Sequence, residues 1–534
     1  MELNQACTHY QAHGPGTLAC NNATKMASML FSSFEVLRRI ANHCNGRAAL
    51  AALLLACAPL AWAQTLPGEV EAALLRAKLP RDALVMLVTE VDNRAASSAA
   101  LSTPARLSHR ADVPVNPASL MKLVTTYAAL DLLGPAFNWQ TPVYADGPVQ
   151  GGVLQGNLYL KGQGDPKLVL ERLWLLLRRV QALGIAQIAG DIVLDRSAFE
   201  PLEQSPGEFD GEPLRPYNAA PDALLLNFKS VLITFTPERG VDGRTAGFAS
   251  VSYEPALAGV QAPARVPINA LDCGDWRTAL KADFSDPANL RFAGSLGANC
   301  GEKTWPIAYA DPKSYAVRAV QGLWREIGGK LAGKVRSGRV PLGLMPVFQH
   351  ASPTLAEVIR DINKFSNNVM AQQLFLTLSL QTKGLGTLAG SREVLGVWWK
   401  SRLPEAALPT LDNGSGLSRT ERISAQALAT LLQHAWASPL MPELLSSLPI
   451  AGVDGTLRRI KGQAAAGQAH LKTGSLRDVT GIAGYVHATS GKRYVLVAIA
   501  NHPNAAAARP ALDALVNWTI QDLGATPTPP NQRP

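Results

Sequence analysis

Residues Asn116-Pro117-Ala118-Ser119-Leu120-Met121-Lys122 decide how the rest of the chain is read. Asn116 is expected to cap a helix, Pro117 to occupy its first position and Gly134 to stop it. Leu120, Val124 and Tyr127 or Ala128 give that helix an apolar face. Ser119 and Lys122, three residues apart, fall on one side of it. A serine hydroxyl is a poor nucleophile until a base takes its proton. A lysine is such a base when burial or nearby positive charge lowers its pKa. The helix N-terminus adds partial positive charge and free N–H groups that suit a developing oxyanion. Alone the pattern is weak, because S-x-x-K arises by chance about once in a chain of this length.

Upstream of this segment, 67–78 reads as a helix and 83–91 as a buried strand. From about 142 the texture changes to short strand-like runs at 152–161, 189–194, 223–236 and 248–253, with Gly and Pro turns and one helical run at 169–183. This β-rich stretch extends to about 340. Helical periodicity returns with Ser352 as cap, Pro353 at the first position, and Leu355, Val358, Ile359 and Ile362 as the apolar stripe. A second helix starts near Asn368. Strand-like runs at 468–474, 480–488 and 492–501 precede a helix at 508–523, striped by Leu512, Leu515, Trp518 or Thr519, and Leu523. Strands near both ends with helices between them imply one discontinuous α/β domain interrupted by the β-rich middle.

The chain has 534 residues, 47% hydrophobic and 17% charged, which supplies core material for several domains and excludes a disordered or collagenous chain. The run 48–63, AALAALLLACAPLAWA, follows Arg38, Arg39 and Arg47 and ends in an A-x-A site. It is too short to span a bilayer comfortably and reads as a secretory signal. The long n-region makes Met26 and Met29 alternative starts, and Leu54-Leu55-Ala56-Cys57 is lipobox-like. Cleavage near Ala63 gives a periplasmic protein. It removes four of the 50 basic and two of the 41 acidic residues, leaving +7, and four of the six cysteines. The remaining pair, Cys273 and Cys300, reads as one disulfide in an exported chain. The Pro-rich tail 525–534 reads as disordered and offers no membrane anchor. The mild basic excess suits a wall or membrane surface and does not single out nucleic acid. No histidine pattern implies a metal. No phosphate or dinucleotide loop implies a cofactor, and no G-x-S-x-G elbow is present.

Two further short motifs bear on Ser119. Ser366-Asn367-Asn368 sits between two helical runs, where a hydroxyl can relay a proton and an amide can both donate to and accept from a peptide. Lys472-Thr473-Gly474 ends a strand, where a cation and hydroxyl suit a carboxylate and glycine allows close approach. Each has a plainer structural reading, a capping turn or a strand running into a turn. All three in this order are the set found in β-lactamases and penicillin-binding proteins.

At this point the sequence resembles the acyl-serine penicillin-recognising enzymes. The long separation of Lys122 from Ser366 narrows the resemblance to the class C low-molecular-mass penicillin-binding proteins, the D-alanyl-D-alanine carboxypeptidase/endopeptidases. Further blocks look like that family: Gly162-Gln163-Gly164-Asp165-Pro166, Tyr217-Asn218, the run from Asp412 to Arg419, and the run from Ala451 to Leu457. The second motif reads S-N-N here rather than S-D-N, with its outer residues intact. The resemblance covers about 64–523. It implies an α/β (α+β) fold, a transpeptidase-like catalytic domain whose central antiparallel sheet is flanked by helices. That domain would comprise 64–141 and 345–524, with 142–344 inserted as two subdomains.

The resemblance also implies roles. Ser119 attacks the carbonyl between two D-alanines and Lys122 is its base. Ser366 passes the proton toward the leaving amine, and Asn368 holds the substrate amide. Lys472 and Thr473 hold the terminal carboxylate beside Gly474. The N–H groups of Ser119 and Ser475 form the oxyanion hole. Peptidoglycan peptide is the substrate and β-lactams are inhibitors. DD-endopeptidase action is a second capability, membrane contact is peripheral at most, and nucleic acid has no place. A β-lactamase and a non-catalytic wall-binding scaffold are the competing readings; the large insertion opposes the first and three intact motifs oppose the second. His470, two residues before Lys472, reads as a solvated residue rather than a catalytic one. Arg325, Lys330, Lys334, Arg336 and Arg339 read as a solvated helix end and loop rather than a glycan contact.

Overall fold

Three apolar runs near the C-terminus form the strands Ala469–Leu476, Val479–His487 and Arg493–Asn501. Only Arg477 and Asp478 separate the first two, which pair antiparallel with Leu476 opposite Val479. The early strand Leu84–Glu90 then lies antiparallel on Arg493–Asn501, from Leu84 opposite Ala500 to Glu90 opposite Tyr494. Leu107–His109 completes the five-stranded sheet on that side. Both ends of the chain therefore share one sheet. These relations come from a computed structural model that describes residues 66–91, 104–202, 204–239, 245–459 and 465–522. The expected signal segment, the tail and Leu523 lie outside them.

The central strands are apolar at nearly every position because both faces are covered. Val85, Leu87, Val495, Val497 and Ile499 point into one core, shared with the helices Met121–Leu133, Leu355–Lys364, Asn368–Lys383 and Ala425–Trp436. Their neighbours Leu84, Met86, Val88, Leu496 and Ala498 point the other way, onto the helices Gly68–Ala77 and Arg509–Ile520. The terminal helix buries the expected Leu512, Leu515 and Thr519.

Two helix starts differ from the sequence reading. Ala118–Leu120 is a 3₁₀ turn, and the regular helix opens only at Met121. It is buried on every side from Met121 to Leu130, so the expected apolar face is only part of its contact surface. The next helix is capped by Thr354 rather than Ser352. Its hydroxyl accepts from the Glu357 N–H while the Glu357 carboxylate accepts from the Thr354 N–H, a reciprocal box. Ser352 instead accepts a 2.9 Å bond from the Trp139 N–H.

Residues 142–348 supply a core of their own. One five-stranded sheet runs in the order Val335–Ser337, Ile192–Asp195, Leu158–Lys161, Gln140–Ala145, Phe348–Ala351. The helix Leu170–Ala182 packs on it through Leu173, Leu176, Leu177 and Val180. A second sheet is built on the long pair Ser230–Arg239 and Thr245–Glu254. The strand expected from 223 starts only at Ser230, because Asn227, Phe228 and Lys229 turn through positive φ. Beside this sheet Cys273 and Cys300 are disulfide-bonded across 27 residues of sequence. Among the described residues, no helix is long and apolar enough to cross a membrane.

Candidate active site

Ser119 stands on a turn that other segments hold rigidly. The Asn116 side chain accepts a 2.8 Å bond from the Ala118 N–H and donates at 2.9 Å to the Ser418 carbonyl. The Asn501 amide clasps the Asn116 backbone at both its N–H and its carbonyl, each at 2.9 Å. Ala118 is forced to φ +47°. Two glycines let neighbouring segments press onto this turn. A Cβ on Gly474 would lie 2.7 Å from the Pro117 carbonyl oxygen, and one on Gly416 would lie 2.0 Å from that of Ala118. Gly474 therefore brings the Lys472 strand against the Ser119 turn.

The three motifs converge there. Lys122 Nζ lies 2.9 Å from Ser119 Oγ and donates at 2.6 Å to Asn368 Oδ1. It also bonds the Ser415 carbonyl. Burial is complete and drives the Lys122 pKa down to about 7, against a raising pull from Glu421. Ser366 projects at φ +56° between its two helices, and its Oγ accepts a 2.8 Å bond from Lys472 Nζ. Asn367 caps the second helix, accepting from the Met370 N–H at 3.1 Å. Lys472 is fully buried as well. Burial first, then the like charge of Lys122, holds its pKa well below the ordinary lysine range. Thr473 Oγ1 donates at 2.8 Å to Thr456 Oγ1, and Ser475 is exposed near the strand's end. A neutral amine bonded to a serine hydroxyl can take its proton. A second lysine beside a relay hydroxyl can meet an anion.

His470 shares the Lys472 strand but is half-buried and stacked on His487, with ring centroids 5.8 Å apart. The basic set lies on the inserted region, apart from these motifs; Arg336 pairs there with Asp191 at 2.5 Å. The inserted region does reach the site. The Tyr217 carbonyl accepts a 3.3 Å bond from Asn368 Nδ2, and Phe209 lies under the Arg419 guanidinium, 4.5 Å away. Among the described residues, no group of three or more metal-ligating side chains is gathered.

Two residues at the site were not singled out by the sequence reading, Asn501 and Glu421, whereas Thr456 lies within the run from Ala451 to Leu457 matched above. Glu421 is buried beneath the 412–416 loop, and its Oε1 accepts from the N–H groups of Asp412, Asn413 and Gly414 at 3.0–3.2 Å. A carboxylate placed against a run already matched as Asp412 to Arg419 was the available cue, two positions beyond its end.

The profile of the D-Ala-D-Ala carboxypeptidase 3 (S13) family matches residues 68–522. The chain belongs to that family. A D-alanyl-D-alanine carboxypeptidase of Actinomadura sp. (strain R39) is 30% identical over 406 residues, 70% of this chain and 71% of that one. The D-alanyl-D-alanine carboxypeptidase DacB of Haemophilus influenzae is 26% identical over 393 residues, covering 72% and 80%. The crystal structure of penicillin binding protein 4 (dacB) from Haemophilus influenzae superposes with a TM-score of 0.66 at 21% identity, over 84% of this chain and all of that one. The fold is thus that of the S13 family, and the chain is a serine-type D-Ala-D-Ala carboxypeptidase.

Proposed function

We propose that the chain is exported to the periplasm and trims D-alanyl-D-alanine ends of peptidoglycan stem peptides through an acyl-enzyme on Ser119. One observation carries this reading: a fully buried Lys122 amine, its pKa near 7, bonded at 2.9 Å to the Ser119 hydroxyl. Ser119 Oγ attacks the penultimate D-Ala carbonyl as its proton passes to Lys122. The N–H groups of Ser119 and Ser475 stabilise the oxyanion. The proton travels through Ser366 to the leaving D-alanine amine. Asn368, already tied to Lys122, orients the substrate amide, and Lys472 with Thr473 holds the terminal carboxylate. Water then frees Ser119. A β-lactam presents the same carbonyl and carboxylate and leaves a slow ester. A discontinuous catalytic domain carrying an inserted region belongs to this reading, with the ends of the insertion near 140 and 351 rather than at 142 and 344, because Gln140–Ala145 and Phe348–Ala351 pair in one sheet of the inserted region.

Fluorescent penicillin tests it. Wild-type protein should label covalently at Ser119, and Ser119→Ala should not label while keeping its melting temperature, since exchanging one half-exposed hydroxyl costs little stability. Labelling that persists at another serine refutes the assignment.

A further inference from the structure

Glu421 holds the loop that holds Lys122. Its Oε1 collects three consecutive backbone N–H groups, from Asp412, Asn413 and Gly414. The same loop grips the serine helix from its other side. The Ser415 carbonyl accepts from Lys122 Nζ, and the Gly414 carbonyl accepts from Thr125 Oγ1 at 2.6 Å, one turn further along. Glu421 Oε2 is buried and has no hydrogen-bond partner. Three N–H groups aimed at one oxygen are an arrangement for an anion. A carboxylate buried merely to fill space would leave that second oxygen an uncompensated cost.

We propose that Glu421 is a positioning residue for acylation, a buried counter-charge that acts through the 412–416 loop to favour the ammonium formed when Lys122 takes the Ser119 proton. The step balances: the Ser119 Oγ–carbonyl bond forms, the Oγ proton moves to Nζ, and the charge created lies near an existing carboxylate. The charged groups around this pair are few. Lys472 opposes the same ammonium, and the Asp412 carboxylate opposes ionisation of Glu421. Burial lifts Glu421 to about 7, against its three N–H donors, so both groups change charge in one pH range. The inference rests on the reading of Ser119 as the acylated residue and Lys122 as its base.

The experiment is the pH dependence of acylation by fluorescent penicillin, for wild type, Glu421→Gln and Glu421→Ala, with melting temperatures. In wild type the ionised Glu421 holds the proton on Lys122 more tightly, so the acid limb next to the plateau should be a one-proton limb displaced to higher pH. Glu421→Gln keeps an oxygen for the three N–H groups but loses the charge. Lys122 then gives up its proton more readily. The limb should move to lower pH by about half to one unit with a slope of one, and the plateau rate should fall about 3–10-fold because the base is weaker. Glu421→Ala should lose melting temperature as well. Superimposed limbs for wild type and Glu421→Gln overturn the proposal. Should the amide variant not fold, a Glu421→Ala limb that superimposes on that of the wild type does so. Absence of wild-type labelling would remove the underlying reading, and this inference with it.

Discussion

Two lysines lie fully buried at one site, and in the proposed mechanism their protonation has to differ. Lys122 must be neutral to accept a proton, whereas Lys472 must be charged to meet a carboxylate. Neutral Lys122 predominates above its pKa of about 7, so acylation should rise with pH through about 7; a limb near 10, the ordinary lysine range, would disprove a buried base. Without substrate, burial and the like charge of Lys122 hold Lys472 well below the ordinary lysine range, and an arriving carboxylate pulls it back toward the ammonium form. Lys472→Ala should slow acylation by ~30–1000-fold, the ~2–4 kcal/mol of a charge-assisted contact in a dry site. The loss should shrink for a peptide whose terminal carboxylate is amidated, and equal losses on both substrates would show that Lys472 does not anchor the carboxylate. These residues were legible because each is a rare chemical type in a short fixed pattern. Glu421 and Asn501 were not. Each acts through backbone groups that only the folded chain brings near.

Strands and helices were read from period and punctuation, and the departures fall where tertiary contact overrides both. Pro117 and Asn116 promised an immediate helix. Instead the chain turns through Ala118 at positive φ, because the Gly416 and Gly474 backbones pass too close for a regular first turn. Gly416→Ala should therefore be severe. Its Cβ would meet the Ala118 carbonyl at 2.0 Å, and its φ of +80° suits only glycine. Overpacking and backbone strain each cost ~1–3 kcal/mol, so both melting temperature and penicillin labelling should fall. Gly396 is the matched control. It lies within the helix Leu388–Arg402, where a Cβ meets nothing within 4 Å. Gly396→Ala should leave labelling unchanged and stabilise by ~0.5–1 kcal/mol. A larger loss at Gly396 than at Gly416 would contradict this account of the turn.

At the scale of the molecule, a sheet shared by the two ends was foreseeable from apolar runs near both termini. The cross-chain order was not, since pairing Leu84–Glu90 with Arg493–Asn501 spans some four hundred residues that carry no trace of it. The Cys273–Cys300 bond lies against the second core, away from the sheet that carries Lys472. Its 27-residue separation corresponds to roughly 3–4 kcal/mol of loop-closure stabilisation. Replacing both cysteines with alanine should lower the melting temperature yet leave the room-temperature labelling rate intact. A matching loss of labelling would mean that the two cores unfold together. The sheet order has a further consequence. Ala469–Leu476 is an outermost strand, and such strands invite stray chains to zip on and aggregate. Here the segment around Ile450 shields its first half, with Ile450 bridged to His470 and the Leu471 N–H bonded to the Pro449 carbonyl. Among the described residues no further backbone pairs with the outer edge of residues 473–476, roughly 14 Å at ~3.4 Å per residue, where Lys472 Nζ donates to the Thr473 carbonyl at 2.7 Å. That berth is long enough for the tail of a short peptide and too short to template a neighbour's strand.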